Sequence, residues 1–269
     1  MDKNKIALLD ADFISKTHVS QSETDHLIDK VLLLPGYDFY CHQQIVDELN
    51  RRTPAPLQWL QDKIQSHEIQ CYTDEMILNE LVPYYGDSCC NRYAQFLKEA
   101  CTAFGSNLFS NYYGSLEQLD YTSISKSEFL DELKAADNAV GNQNSLGEIK
   151  TYVLLQTLDF LHGDNIYLFC SDDQKARVGI VQFDNVRCIS VLSAFLMLKN
   201  SLVLTKEMAE PYRNSWLAHC ASHNVAIFRV LDASATRRFC KVPCAQVLDD
   251  IYDDKFLILG DGNLKYKPT

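Results

Sequence analysis

No stretch of this chain holds the 18 or so consecutive apolar residues that a membrane-spanning helix needs, and its first residues carry no apolar core of a secretory signal. Low-complexity tracts and internal repeats are missing too, which predicts a chain folded throughout. Basic side chains are in deficit. There are 25 Lys and Arg against 36 Asp and Glu, a net charge of −11, which argues against indiscriminate binding to a polyanion. The deficit is uneven: residues 1–200 carry 16 basic and 28 acidic side chains, whereas residues 201–269 carry 9 and 8. What is present in quantity is apolar surface, 46% of 269 residues, enough for one large domain or a domain with an appendage. The ten cysteines read as reduced thiols of a cytoplasmic protein. Cys41, Cys71, Cys170 and Cys188 sit in or at the end of apolar runs, where Cys behaves as a small hydrophobe.

Through residue 200, strand-like and helix-like segments alternate. Strands are predicted at Ile6–Leu9, Tyr37–Cys41, Ile69–Tyr72, Ile166–Cys170 and Val186–Ser190, each followed by helical periodicity. That alternation predicts a three-layer α/β/α fold around a central, mainly parallel five-stranded sheet, with sites outside the carboxyl ends of the strands. A long helical insertion with a loop is expected near residues 85–145. Residues 105–126, rich in Gly, Ser, Asn and Tyr, read as that loop, a lid or a mobile segment. Residues 201–269 read as a small α+β extension, with helices near 208–222 and 244–252, strands at 225–230 and 255–259, and a GDGN turn before a return strand at 264–267.

The strand ending in LLDADFIS closes on Asp10 and Asp12. Glu48 lies in VDELN on the helix after the second strand. Glu148 opens a helix in LGEIKTYVL, and Asp172 and Asp173 follow the fourth strand in CSDDQKAR. Each acid has a local reading: Asp10 or Asp172 as a helix N-cap, Glu48 as a surface helix residue, Glu148 as a first-turn partner of the helix dipole. Strand ends and following helix starts share one sheet edge, however, so Asp10, Glu148 and the Asp172/Asp173 pair should converge, with Glu48 joining them from a crossing helix. Carboxylates so gathered cannot all stay ionised unless a cation relieves them, and Mg²⁺ or Mn²⁺ takes oxygen ligands of this kind.

These four motifs, in this order, resemble the four-acid pattern of PIN-domain nucleases over roughly residues 5–200. The resemblance implies a PIN-like sheet and a Mg²⁺- or Mn²⁺-dependent nuclease that cuts single-stranded RNA, less often DNA, with metal-activated water. It implies Asp10, Glu48, Glu148 and Asp173 as catalytic metal ligands, Asp172 as neighbour or substitute, and Asp12 as a residue orienting the loop. The family's Thr/Ser–x–Asp motif favours Asp173 over Asp172. Residues 201–269 lie outside the pattern and could serve a homodimer or a protein partner. Lys175 and Arg177 follow the acids and could hold substrate phosphate or pair with carboxylates. Arg237 and Arg238 in TRRFCK, the KYK of 265–267 and the NYYG of 111–114 are further phosphate or base-stacking candidates. Two other functions compete. DAD also suits a HAD-like phosphatase with Asp10 as nucleophile, and a PIN-like scaffold could bind RNA or protein without catalysis. His219, His223, Cys240 and Cys244 hold the inventory of a zinc site, but their order and the 16 residues between the pairs match no zinc module, so buried Cys and surface His are expected.

Overall fold

Lys5–Leu9 forms the middle strand of a five-stranded sheet in the computed structural model, which describes residues 4–22, 24–52, 54–105, 107–141, 145–163, 167–183, 185–219, 225–231 and 237–267. Across the sheet the strands run Ile69–Tyr72, Tyr37–His42, Lys5–Leu9, Tyr167–Cys170 and Val186–Ile189, every pair parallel. Ala7 lies between Phe39 and Leu168 in the register. Ala7, Leu9, Phe39, Cys41, Leu168 and Cys170 enter one core, while Ile6, Leu8, Tyr40, Tyr167 and Phe169 enter the other. Both faces are buried, so the inner strands read as continuous apolar runs. The three-layer α/β/α arrangement is therefore the observed fold. No described helix is long and apolar enough to cross a membrane.

The helices differ in how they are buried. Gln43–Arg52 is amphipathic: Ile45, Val46 and Leu49 face the first core and Glu48 is left half-buried on its flank. Leu146–His162 is buried on nearly every side from Leu146 to Leu158, as befits a helix wedged between the sheet and the helix Cys89–Phe104. That placement fixes the helix N-terminus carrying Glu148.

The segment 105–126 is not the loop that its composition suggests. It holds the helix Leu108–Tyr112 and a 3₁₀ turn at Gly114–Gln118, with Phe109, Tyr113 and Leu116 buried in the second core. Spacings of four and three put those three residues on one face, a weak period hidden among Gly, Ser and Asn. Tyr113, offered by the sequence as a stacking platform, is core: its hydroxyl donates to Asp137 Oδ1 at 2.7 Å.

Beyond residue 200 the elements are the helix Lys206–His219, an antiparallel pair of strands Val225–Leu231 and Arg237–Pro243, the helix Cys244–Tyr252, and a hairpin of Phe256–Ile258 with Leu264–Tyr266. Arg237–Pro243 was not foreseen as a strand. Tyr212, Val247, Leu248, Ile251, Phe256 and Leu264 join the first core together with Val191 and Phe195, so this extension lengthens the main core. Tyr266 of the KYK stretch packs on Phe256 and donates to Asp250 Oδ2 at 2.8 Å, so it too has a structural role. Gly262 (φ 78°) lets the turn press on the sheet edge, where an added Cβ would lie 2.9 Å from the carbonyl of Cys188.

Candidate active site

Asp10 follows the middle strand directly and caps the helix Ala11–Thr17. One carboxylate oxygen accepts from the Ala11 N–H at 2.8 Å, and the other accepts from the Ser171 hydroxyl at 2.7 Å. The same Ser171 oxygen accepts from the Asp173 N–H at 3.2 Å, so it ties the ends of two adjacent strands together. Asp10 is 3% exposed. Burial pushes its carboxyl well above the usual carboxylate range. The charge of Glu148 adds to this, the Ser171 hydrogen bond opposes it, and Glu48 and Asp12 add further.

Asp10, Asp12, Glu48, Glu148, Asp172 and Asp173 line one cavity of about 550 Å³ at the carboxyl edge of the sheet, together with Lys16, Ser145 and Gln174. The sequence-predicted acids are thus brought together. Glu48 Oε1 accepts from the Gly147 N–H at 3.0 Å and so caps the helix Leu146–His162 from another element. The helix's own N-cap, Ser145, sits in the left-handed region (φ 55°) and supplies no side-chain cap. A Cβ on Gly147 would lie 2.7 Å from that same Oε1, so only glycine lets Glu48 come this close. Glu148 is in the first turn beyond it. Asp173 caps the helix Gln174–Ile180 by accepting from the Lys175 N–H at 2.7 Å.

Asp172 has a different task from Asp173. Its Oδ1 accepts from the Val191 N–H at 3.1 Å, and its Oδ2 accepts from the Lys16 ammonium at 2.8 Å. Lys16 also reaches Asp12 Oδ2 at 2.9 Å. Burial works against the Lys16 ammonium, but Asp172 and Asp12 outweigh it and hold its pKa above the ordinary lysine value. Lys16 was not among the sequence candidates. Its signal was the Asp12–Lys16 spacing of four on a short helix, which by itself means only a helix-surface pair.

The basic candidates fare unevenly. Lys175 is exposed beside the acids. Arg177 is buried, with Nε on the Asp261 carbonyl at 2.9 Å, Nη1 on the Ser171 carbonyl at 2.8 Å and Nη2 on Asn263 Oδ1 at 3.2 Å. It braces the GDGN turn against the site, which corrects its reading as a substrate contact. The side chains of Arg237 and Arg238 lie outside the described residues, and so does His223. Of the remaining zinc candidates, Cys244 is buried, while His219 and, against expectation, Cys240 are exposed. Among the described residues no group of three His, Cys, Asp or Glu side chains is disposed to hold a metal ion as it stands.

A second polar cluster, unread in the sequence, gathers around Lys150, two residues after Glu148. Lys150, 1% exposed, reaches Asp74 Oδ2 at 3.0 Å and Asp137 Oδ2 at 2.7 Å. Tyr93 donates to Asp74, and His42 Nε2 faces Asp74 Oδ1 at 3.2 Å. His42 Nδ1 accepts from the Gln44 N–H at 3.1 Å. This cluster joins the helix of Glu148 to the strand that leads into the helix of Glu48. No protein-family model, curated protein or solved structure matches this chain.

Proposed function

We propose that the chain is a divalent-metal-dependent nuclease that hydrolyses phosphodiester bonds of single-stranded RNA. The observation that carries this reading is the convergence of Asp10, Glu48, Glu148 and Asp173 on one cavity. Their order and context are those of the PIN-like pattern, and the substrate class rests on that resemblance. The donor set fits Mg²⁺ or Mn²⁺, since it offers only carboxylate oxygens and includes a buried acid whose ionisation its neighbours disfavour. Asp10, Glu48, Glu148 and Asp173 would hold the ion. When bound, the ion supplies activation of water and neutralisation of charge on the phosphoryl oxygens. The chain's own residues orient that chemistry: Ser171 fixes the Asp10 carboxylate, Gly147 admits Glu48, and the Gln174–Ile180 helix start aims Asp173.

The deciding experiment incubates the chain with end-labelled single-stranded RNA, the matching DNA and p-nitrophenyl phosphate, each with Mn²⁺ or EDTA. RNA cleavage with Mn²⁺ and none in EDTA is expected, together with a metal-induced rise in Tm. Turnover of p-nitrophenyl phosphate that survives Glu148→Gln would replace this reading with the phosphatase. An unchanged Tm with no cleavage would leave the scaffold.

Gly147→Ala gives an independent check on the geometry. Alanine favours the helix by up to about 1 kcal/mol, so the fold should hold. The added methyl must push Glu48 away, and Mn²⁺ affinity should fall on the order of 10–100-fold, read by titration, with the metal-free Tm nearly unchanged.

A further inference from the structure

We propose that Lys16 is a built-in second cation of the acid cavity, so that the site takes one divalent ion rather than two. This rests on the metal-dependent reading above. The six acids of the cavity fall into two sets. Asp10, Glu48, Glu148 and Asp173 are the ligands of that reading, with Asp10 at the buried end. Asp12 and Asp172 share the Lys16 ammonium, at 2.9 and 2.8 Å. Asp172 cannot readily turn to another partner, because its other oxygen is held by the Val191 N–H. The place where a second ion would find two carboxylates on the cavity wall is therefore filled by a side-chain ammonium.

A plain helix-surface pair would involve only Asp12, four residues away. The bond to Asp172 does something more. It crosses from the first strand end to the fourth and keeps a fixed positive charge on the wall of the cavity that the scissile phosphate must approach. An ammonium is a compact point charge with three donors, suited to a non-bridging phosphate oxygen without the hydration demands of a metal ion.

Counting ions tests this without relying on activity. The full chain and its Lys16→Met and Lys16→Arg variants are titrated with Mn²⁺ near neutral pH, and free ion is followed by electron paramagnetic resonance. Thermal melts confirm that each variant folds. The wild type and Lys16→Arg should bind one ion tightly. Lys16→Met should bind two, and adding Asp12→Asn to it should return the count to one. Two ions on the wild type, or one on both the wild type and Lys16→Met, would overturn the proposal while leaving the metal-dependent reading standing. No ion on the wild type would overturn that reading, and this inference with it.

Discussion

Asp10→Asn should abolish RNA cleavage, by on the order of 10³-fold or more, and should at the same time raise the Tm of the metal-free protein. The two effects have one cause. Asp10 is buried, and its charge is disfavoured by burial, by Glu148 and by Glu48 and Asp12. Asparagine keeps an acceptor for the Ala11 N–H but removes the charge, which relieves on the order of 1–2 kcal/mol of strain in the metal-free site. It also removes the ligand that a cation would need, so the Mn²⁺-induced rise in Tm should shrink or vanish. The pH dependence carries the same sign. The folded-state pKa of Asp10 lies above the unfolded value, so between the two the folded protein holds more protons than the unfolded chain. Metal-free stability should therefore fall as pH rises upward through that window, and Asp10→Asn should flatten this part of the curve. Melts across pH, with Mn²⁺ and with EDTA, check all of it. A variant that melts lower than the wild type in EDTA, or that cleaves at the wild-type rate, would contradict the assignment.

Lys150→Met should destabilise the fold by about 3–5 kcal/mol, measured by urea unfolding. Lys150 is the cation of a buried set. Burial opposes its charge, but Asp74 and Asp137 outweigh burial and raise its pKa. Burial likewise opposes the ionisation of Asp74, yet Lys150, His42 and the Tyr93 hydroxyl hold its pKa below the carboxylate range. Methionine would fill much of the volume and leave two carboxylates facing each other without their cation. Replacing the whole set with Lys150→Met, Asp74→Asn and Asp137→Asn should recover more than half of the loss, because no charge is then stranded. Asp74 also sets an acid limit. Its stabilisation is present above the unfolded carboxylate pKa of about 4 and is lost as pH falls below it. A single variant as stable as the wild type would show that the cluster contributes nothing net.

Several features of this molecule were open to reading from residue pattern. The five parallel strands are legible because a strand buried on both faces must be apolar at every position, and such runs stand out between amphipathic helices. The helix ends are legible from their caps, with the Ser125 and Thr73 hydroxyls accepting from Glu128 and Met76 N–H groups as local pattern would have it. Less legible were the strand Arg237–Pro243, whose basic start hides it until Val225–Leu231 pairs with it, and the helix Leu108–Tyr112 with its weak period. The short helix Ala11–Thr17 was legible only through its cap, since Asp10 both ends the strand and opens the helix.

By itself the sequence determined which acids stand at strand ends and helix starts, and hence which could share an edge. That follows from chemistry local to each segment: apolar runs make strands, and short polar side chains cap helices. Tertiary structure alone decided what each of those acids touches. It gave Lys16 to Asp172, seated Glu48 on Gly147, buried Arg177 under the GDGN turn and set Lys150 between Asp74 and Asp137. These contacts join residues far apart along the chain, and their energies depend on ångström-scale distances and burial that no periodicity encodes.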